Sequence, residues 1–133
     1  MPLTYRIYED AGLLFIRGDG AITQPERMKA MGAWLADPAY ERCVDALCDF
    51  TAAATTPSWA DLWELISMLG DRSPSTGPRK LAIVAKKSIT FGTALVFEDL
   101  VKVKAIPLAI RVFIDTEAAW QWLRPAHERP DHL

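Results

Sequence analysis

The chain has 133 residues, half hydrophobic and 24% charged, which excludes a disordered tract and suits one domain with its own core. Fifteen basic and 17 acidic residues give a net charge of −2 with no basic block, so nucleic acid is excluded as an expected partner. No apolar run reaches the roughly 18 residues of a membrane span. The start Met1-Pro2-Leu3-Thr4-Tyr5-Arg6 lacks the basic and apolar regions of a signal peptide, so a cytoplasmic protein is expected.

Thr4 to Glu9 and Leu13 to Arg17 are β-favouring runs around Asp10-Ala11-Gly12, the pattern of a hairpin. Gly18-Asp19-Gly20 breaks the second strand. Thr23-Gln24-Pro25-Glu26 then forms an S/T-x-x-E capping box for a helix carrying Met28, Met31, Gly32 and Leu35, which ends near Asp37-Pro38. Cys43 to Phe50 predicts a strand buried on both faces.

After Thr51 to Thr56, Pro57 and Ser58 open a second helix with the stripe Leu62, Leu65, Ile66, Leu69 and a stop at Gly70. Asp71 to Pro78 has loop composition. Lys80 to Ala85 is a buried strand, and Ser88 caps a third helix to about Val103. Ala109 to Ile114 forms the last strand. Asp115 caps a helix with Ala118, Ala119, Trp120 and Leu123 that ends at Arg124-Pro125. The expected fold is therefore α/β, β-β-α-β-α-β-α-β-α, with a mixed, mostly parallel sheet of about five strands and about four helices. Residues 1–124 form the single domain and 125–133 a polar tail. Cys43 and Cys48, five apart in one strand, should point to opposite faces as unpaired buried thiols.

The element order and several local motifs resemble the STAS family, the domain of anti-sigma-factor antagonists and of sulfate-transporter tails. Gly20-Ala21-Ile22-Thr23 is similar to its helix entry after the hairpin. Leu47-Cys48-Asp49-Phe50-Thr51 is similar to its third-strand end. The run Val112 to Leu123 resembles its "F-x-D-x-x-E-A-x-x-W-L" close. The resemblance covers nearly the whole folded chain and implies a small stand-alone bacterial domain acting as a regulatory, protein-binding module, in a branch that includes relatives of lipid-carrying domains. The family's phosphorylated "D-S-S-G" turn is replaced here by Thr55-Thr56-Pro57-Ser58-Trp59.

Both histidines, His127 and His132, fall in the tail, which leaves the folded body without an imidazole base or zinc ligand. No catalytic, metal or cofactor site is expected. The carboxyl ends of parallel strands gather ligands, and here they carry Asp49, the hydroxyls of Thr56 and Ser58, and Lys86 and Lys87. Thr56 and Ser58 read either as helix caps or as phosphorylation sites at a helix N-terminus. Asp49 reads as an acceptor for loop amides or as a ligand group. Lys86, Lys87, Ser88 and Thr90 read as a solvated loop with a serine cap or as holders of an anionic headgroup or an acidic partner. Trp59 and Trp63 flank the second helix's stripe, and the third helix is apolar nearly all round, with Phe91 and Phe97 among its large side chains. Plain core packing, a homodimer or other protein interface, or a cleft between the second and third helices for a lipid-like molecule would each account for this excess.

Overall fold

Tyr8 and Leu13 close the first pair of strands around a 3₁₀ turn, Glu9–Ala11, that ends at Gly12 with φ +60°, a left-handed conformation glycine adopts without strain. The computed structural model describes residues 2–71, 77–86 and 88–125. In chain order it forms β1 (Leu3–Tyr8), β2 (Leu13–Gly20), α1 (Gln24–Ala36), β3 (Asp45–Ala53), α2 (Trp59–Gly70), β4 (Lys80–Val84), α3 (Ser88–Val103), β5 (Ala109–Phe113) and α4 (Thr116–Leu123). Lys87, most of the loop expected over Asp71–Pro78, and residues 126–133 with both histidines lie outside the described residues.

The sheet runs β1-β2-β3-β4-β5, with β1 antiparallel to β2 and every later pair parallel. Each parallel connection steps one strand in the same direction. Right-handed crossovers therefore place α1, α2 and α3 together on one face. Leu14, Ile16, Ala46, Cys48 and Ile83 point into that layer, where they meet Met31, Trp34 and Leu35 of α1, Leu62, Leu65 and Ile66 of α2, and Ala94, Leu100 and Val101 of α3. Alternate residues Leu13, Leu47, Ala82 and Val84 face the other way, against Ala119, Trp120 and Leu123 of α4.

Local capping follows the sequence closely. Thr23 and Glu26 close a reciprocal capping box on α1, and Ser58 and Asp61 close another on α2. Asp115 accepts the Ala118 N–H at 2.7 Å to start α4.

Three expectations need correction. Gly18-Asp19-Gly20 does not end β2, which runs through Gly20. Cys43 is not in β3, because Pro38–Arg42 forms a further 3₁₀ turn, entered at Pro38 and capped by Asp37, that delays the strand to Asp45. Cys43 and Cys48 therefore do not oppose one another across the sheet. Both thiols are free and pack into the three-helix layer.

The α4 layer is anchored by a buried ion pair. Arg124 Nε donates to Asp45 Oδ2 at 3.0 Å, with side chains 15% and 12% exposed. The same guanidinium donates to the Ala11 carbonyl and lies 5.7 Å from the Trp120 ring centre. Arg124→Ala strands the Asp45 carboxylate in the interior and should lower stability by about 3 kcal/mol in urea unfolding. The double variant Asp45→Asn with Arg124→Met leaves no buried charge and should lose less than Arg124→Ala alone.

Candidate ligand cavity

A cavity of about 130 Å³ lies in the three-helix layer, between the sheet and α1, α2 and α3. Its floor comes from Leu3, Ile16, Cys48, Phe50, Leu81 and Ile83 on four strands. Arg27, Met31 and Trp34 of α1, Leu62 and Leu65 of α2, and Thr90, Thr93, Ala94 and Phe97 of α3 complete the walls. Ala53, Thr55, Thr56 and Pro57 line it where β3 leads into α2. Thr55 is exposed and Thr56 and Pro57 are half-buried, so this segment forms the solvent side of the cavity, at the carboxyl ends of the parallel strands.

The void has a packing origin. Ala53, Thr90, Thr93 and Ala94 are short side chains at inward positions, and they do not reach across the gap that larger residues fill elsewhere in this layer. A bulge in β3 adds to it. Phe50 and Thr51 together oppose the single residue Gly18 of β2. A Cβ at Gly18 would lie 2.7 Å from Phe50 Cδ1 and 2.9 Å from Ile22 Cδ1, so glycine is what lets this aromatic wall settle against β2.

Most polar groups on the lining are already engaged. Arg27 is 9% exposed, and its guanidinium donates to the Ile22 carbonyl at 2.9 Å and to Gln24 Oε1 at 3.3 Å. Its charge is met by Asp61 Oδ2 at 3.8 Å. Burial lowers the Arg27 pKa from its ordinary value, and the Asp61 and Glu26 carboxylates oppose that shift. Thr55 Oγ1 donates to the Ile22 carbonyl and accepts its N–H, at 2.9 and 2.8 Å, and Thr93 Oγ1 donates to the Ile89 carbonyl at 2.9 Å. The Cys48 thiol is held above its usual pKa, first by burial and then by the neighbouring Asp49 charge.

The residues singled out from the sequence divide sharply. Phe97 and Thr56 line the cavity. Ser58 is exposed and caps α2, its Oγ accepting the Asp61 N–H at 3.1 Å. Asp49 shares β3's other face with Asp45, and its Oδ1 accepts from the Thr51 N–H and hydroxyl at 3.0 and 2.7 Å, which satisfies the bulge. Lys86 is exposed, and Lys87 lies outside the described residues.

Of the expected Trp59, Trp63, Phe91 and Phe97, Phe97 lines this cavity and the first three stand apart from it. The stripe Leu62, Leu65, Ile66 takes the inner side of α2, which turns Trp59 and Trp63 to its flank. There Trp59 is 59% exposed and meets Trp63 edge-on at 6.4 Å, while Lys104 Nζ sits 4.8 Å from the Trp63 ring centre.

Arg27, Met31, Trp34, Phe50, Ala53 and Ala94 were not anticipated as site residues, and Thr90, anticipated beside Lys86 and Lys87 as a holder of an anionic group, lines the cavity. The legible signal was Thr90-Ala94-Phe97 at i, i+4, i+7, a helix face whose first two side chains are short in an otherwise bulky apolar helix.

No family model and no curated protein matches the chain. Among solved structures it is similar to an uncharacterised protein of the DUF3478 family with a SpoIIAA-like fold from Shewanella loihica PV-4. The match covers 91% of each chain at 18% identity with a TM-score of 0.57. At that identity the likeness establishes the fold, which is SpoIIAA-like and hence STAS-like, with the five-strand mixed sheet and four helices anticipated from the element order. No helix among the described residues is long and apolar enough to cross a membrane.

The buried thiol sets a pH dependence. A folded-state pKa above the unfolded value gives stability that is complete below the unfolded pKa and is lost as pH rises toward the folded one. Unfolding free energy should therefore decline above the ordinary thiol value of 9.0. Cys48→Ala should make that decline shallower in urea titrations at successive pH values, whatever its cost near neutrality.

Proposed function

We propose that this chain is a non-catalytic STAS-like module that works by binding, and that its cavity takes one small, largely apolar molecule. The observation that carries this reading is the cavity itself: about 130 Å³, lined almost wholly by apolar atoms and bordered by a solvent-reaching loop. An apolar cavity of about this size is large enough for a single aromatic ring. An empty one is costly. At about 24 cal/mol per Å³, a void of 130 Å³ forgoes about 3 kcal/mol of stability, a large share of a domain's usual net 5–15 kcal/mol. A ligand of matching size recovers those contacts.

The chemistry of the lining favours holding over reacting. Burial keeps the Cys48 thiol in its protonated, weakly nucleophilic form. Arg27 and Thr55 are occupied by structural hydrogen bonds. No group of three or more His, Cys, Asp or Glu residues among the described residues is arranged to hold a metal.

A second reading, protein association, rests on a different observation. Ile89, Leu95 and Val103 of α3 are 72%, 42% and 75% exposed, and Trp59 stands out from α2. Exposed apolar side chains on these two helices suit a second copy or another protein.

Toluene added to methyl-labelled protein should give saturable shifts at Met31 and Ile83, which line the cavity. Ala94→Leu places a larger side chain in the void and should abolish those shifts while keeping or raising the melting temperature. Absence of saturable shifts in the unmodified protein contradicts the ligand reading. For association, sedimentation should show a concentration-dependent dimer that Ile89→Lys with Val103→Glu returns to monomer. A monomer at every concentration tested removes self-association from the account.

A further inference from the structure

The cavity's polar groups do not all have partners. Arg27, Thr55 and Thr93 are each committed to protein acceptors or donors. Thr90 differs from these three. It is 7% exposed, lines the cavity, and forms no hydrogen bond through its hydroxyl with the described residues. No side-chain nitrogen or oxygen sealed from solvent lacks a hydrogen-bond partner among the described residues, so the Thr90 hydroxyl keeps some accessible surface and is free to meet a ligand's polar atom. Thr56, the other lining hydroxyl without a protein partner, is half-buried and lies on the solvent side, where water satisfies it.

Charge narrows the ligand further. The cation on the lining, Arg27, already has the Asp61 carboxylate at 3.8 Å and the Ile22 carbonyl at 2.9 Å, so an anionic ligand would displace existing contacts rather than complete an empty one. A threonine hydroxyl both donates and accepts, and it matches an uncharged oxygen. From these observations, which rest on the cavity-binding reading above, we infer that the ligand is a neutral single-ring or short-chain molecule with one hydroxyl or carbonyl group, and that Thr90 Oγ1 is the hydrogen-bonding partner that fixes its orientation. The apolar body lies against Ile83, Ala94 and Phe97, and the polar atom faces the start of α3.

Two probes separate body from handle: toluene and p-cresol, which differ by one hydroxyl. Isothermal titration or methyl NMR on the full chain supplies both affinities. Thr90→Val removes the hydroxyl at nearly constant shape. It should weaken p-cresol about five- to tenfold, the fold-change of one hydrogen bond, and leave toluene within about twofold. Thr90→Ser should retain p-cresol within about twofold of the unmodified protein. Toluene binding by Thr90→Val also shows that this variant folds with its cavity intact. If Thr90→Val weakens both probes equally, or neither, the assignment of Thr90 is overturned while the cavity reading stands. If the unmodified protein binds neither probe, the cavity reading fails and this inference fails with it.

Discussion

Right-handed crossover geometry, repeated three times in one direction across a parallel sheet, sets nearly everything else in this molecule. Because β2, β3, β4 and β5 follow each other edge to edge, α1, α2 and α3 have one face to share. Three helices and one sheet face make a wide layer, and its filling depends on the length of each inward side chain. α4 follows the last strand, so no further strand constrains it, and it covers the opposite face. The ion pair of Arg124 with Asp45, supported by the Ala11 carbonyl and the Trp120 ring, ties that helix to the strands.

The same constraint locates the cavity. At the carboxyl ends of the strands the three helices begin, and the inward residues there are Ala53, Thr90, Thr93 and Ala94 instead of Leu or Ile. Near the other end of the layer Leu35, Leu100 and Val101 are buried. Ser58, Asp61 and Arg27 stiffen the entrance: the first two close the capping box of α2, and Arg27 joins α1 to the Ile22 carbonyl and the Asp61 charge.

Much of this was legible in the sequence, and the reasons are local. Thr23 with Glu26, Ser58 before an apolar stripe, and Asp115 before Ala118-Ala119-Trp120 each mark a helix start by satisfying free N–H groups, which acts over a few residues. The strand Leu81-Ala82-Ile83-Val84 announced itself as a continuous apolar run. The misreadings came where tertiary contact overrides local habit. Gly18 reads as a strand break, yet it serves the close approach of Phe50 and Ile22 inside a strand. Pro38 reads as a helix stop, yet it also opens the 3₁₀ turn that moves Cys43 out of β3. The cavity was the least legible feature, because it is defined by missing volume contributed by several elements. Trp59 and Trp63 drew the functional reading outward to the flank of α2, whereas this cavity is shaped by small residues, whose spacing on α3 is a faint mark beside two tryptophans.

Crystals pressurised with xenon would probe the central claim most directly, since xenon reports apolar void space without hydrogen bonds or charge. The account predicts an ordered xenon atom in contact with Ile83, Ala94 and Phe97, absent from Ala94→Leu crystals of the same form. A fully packed layer with no xenon there would contradict it.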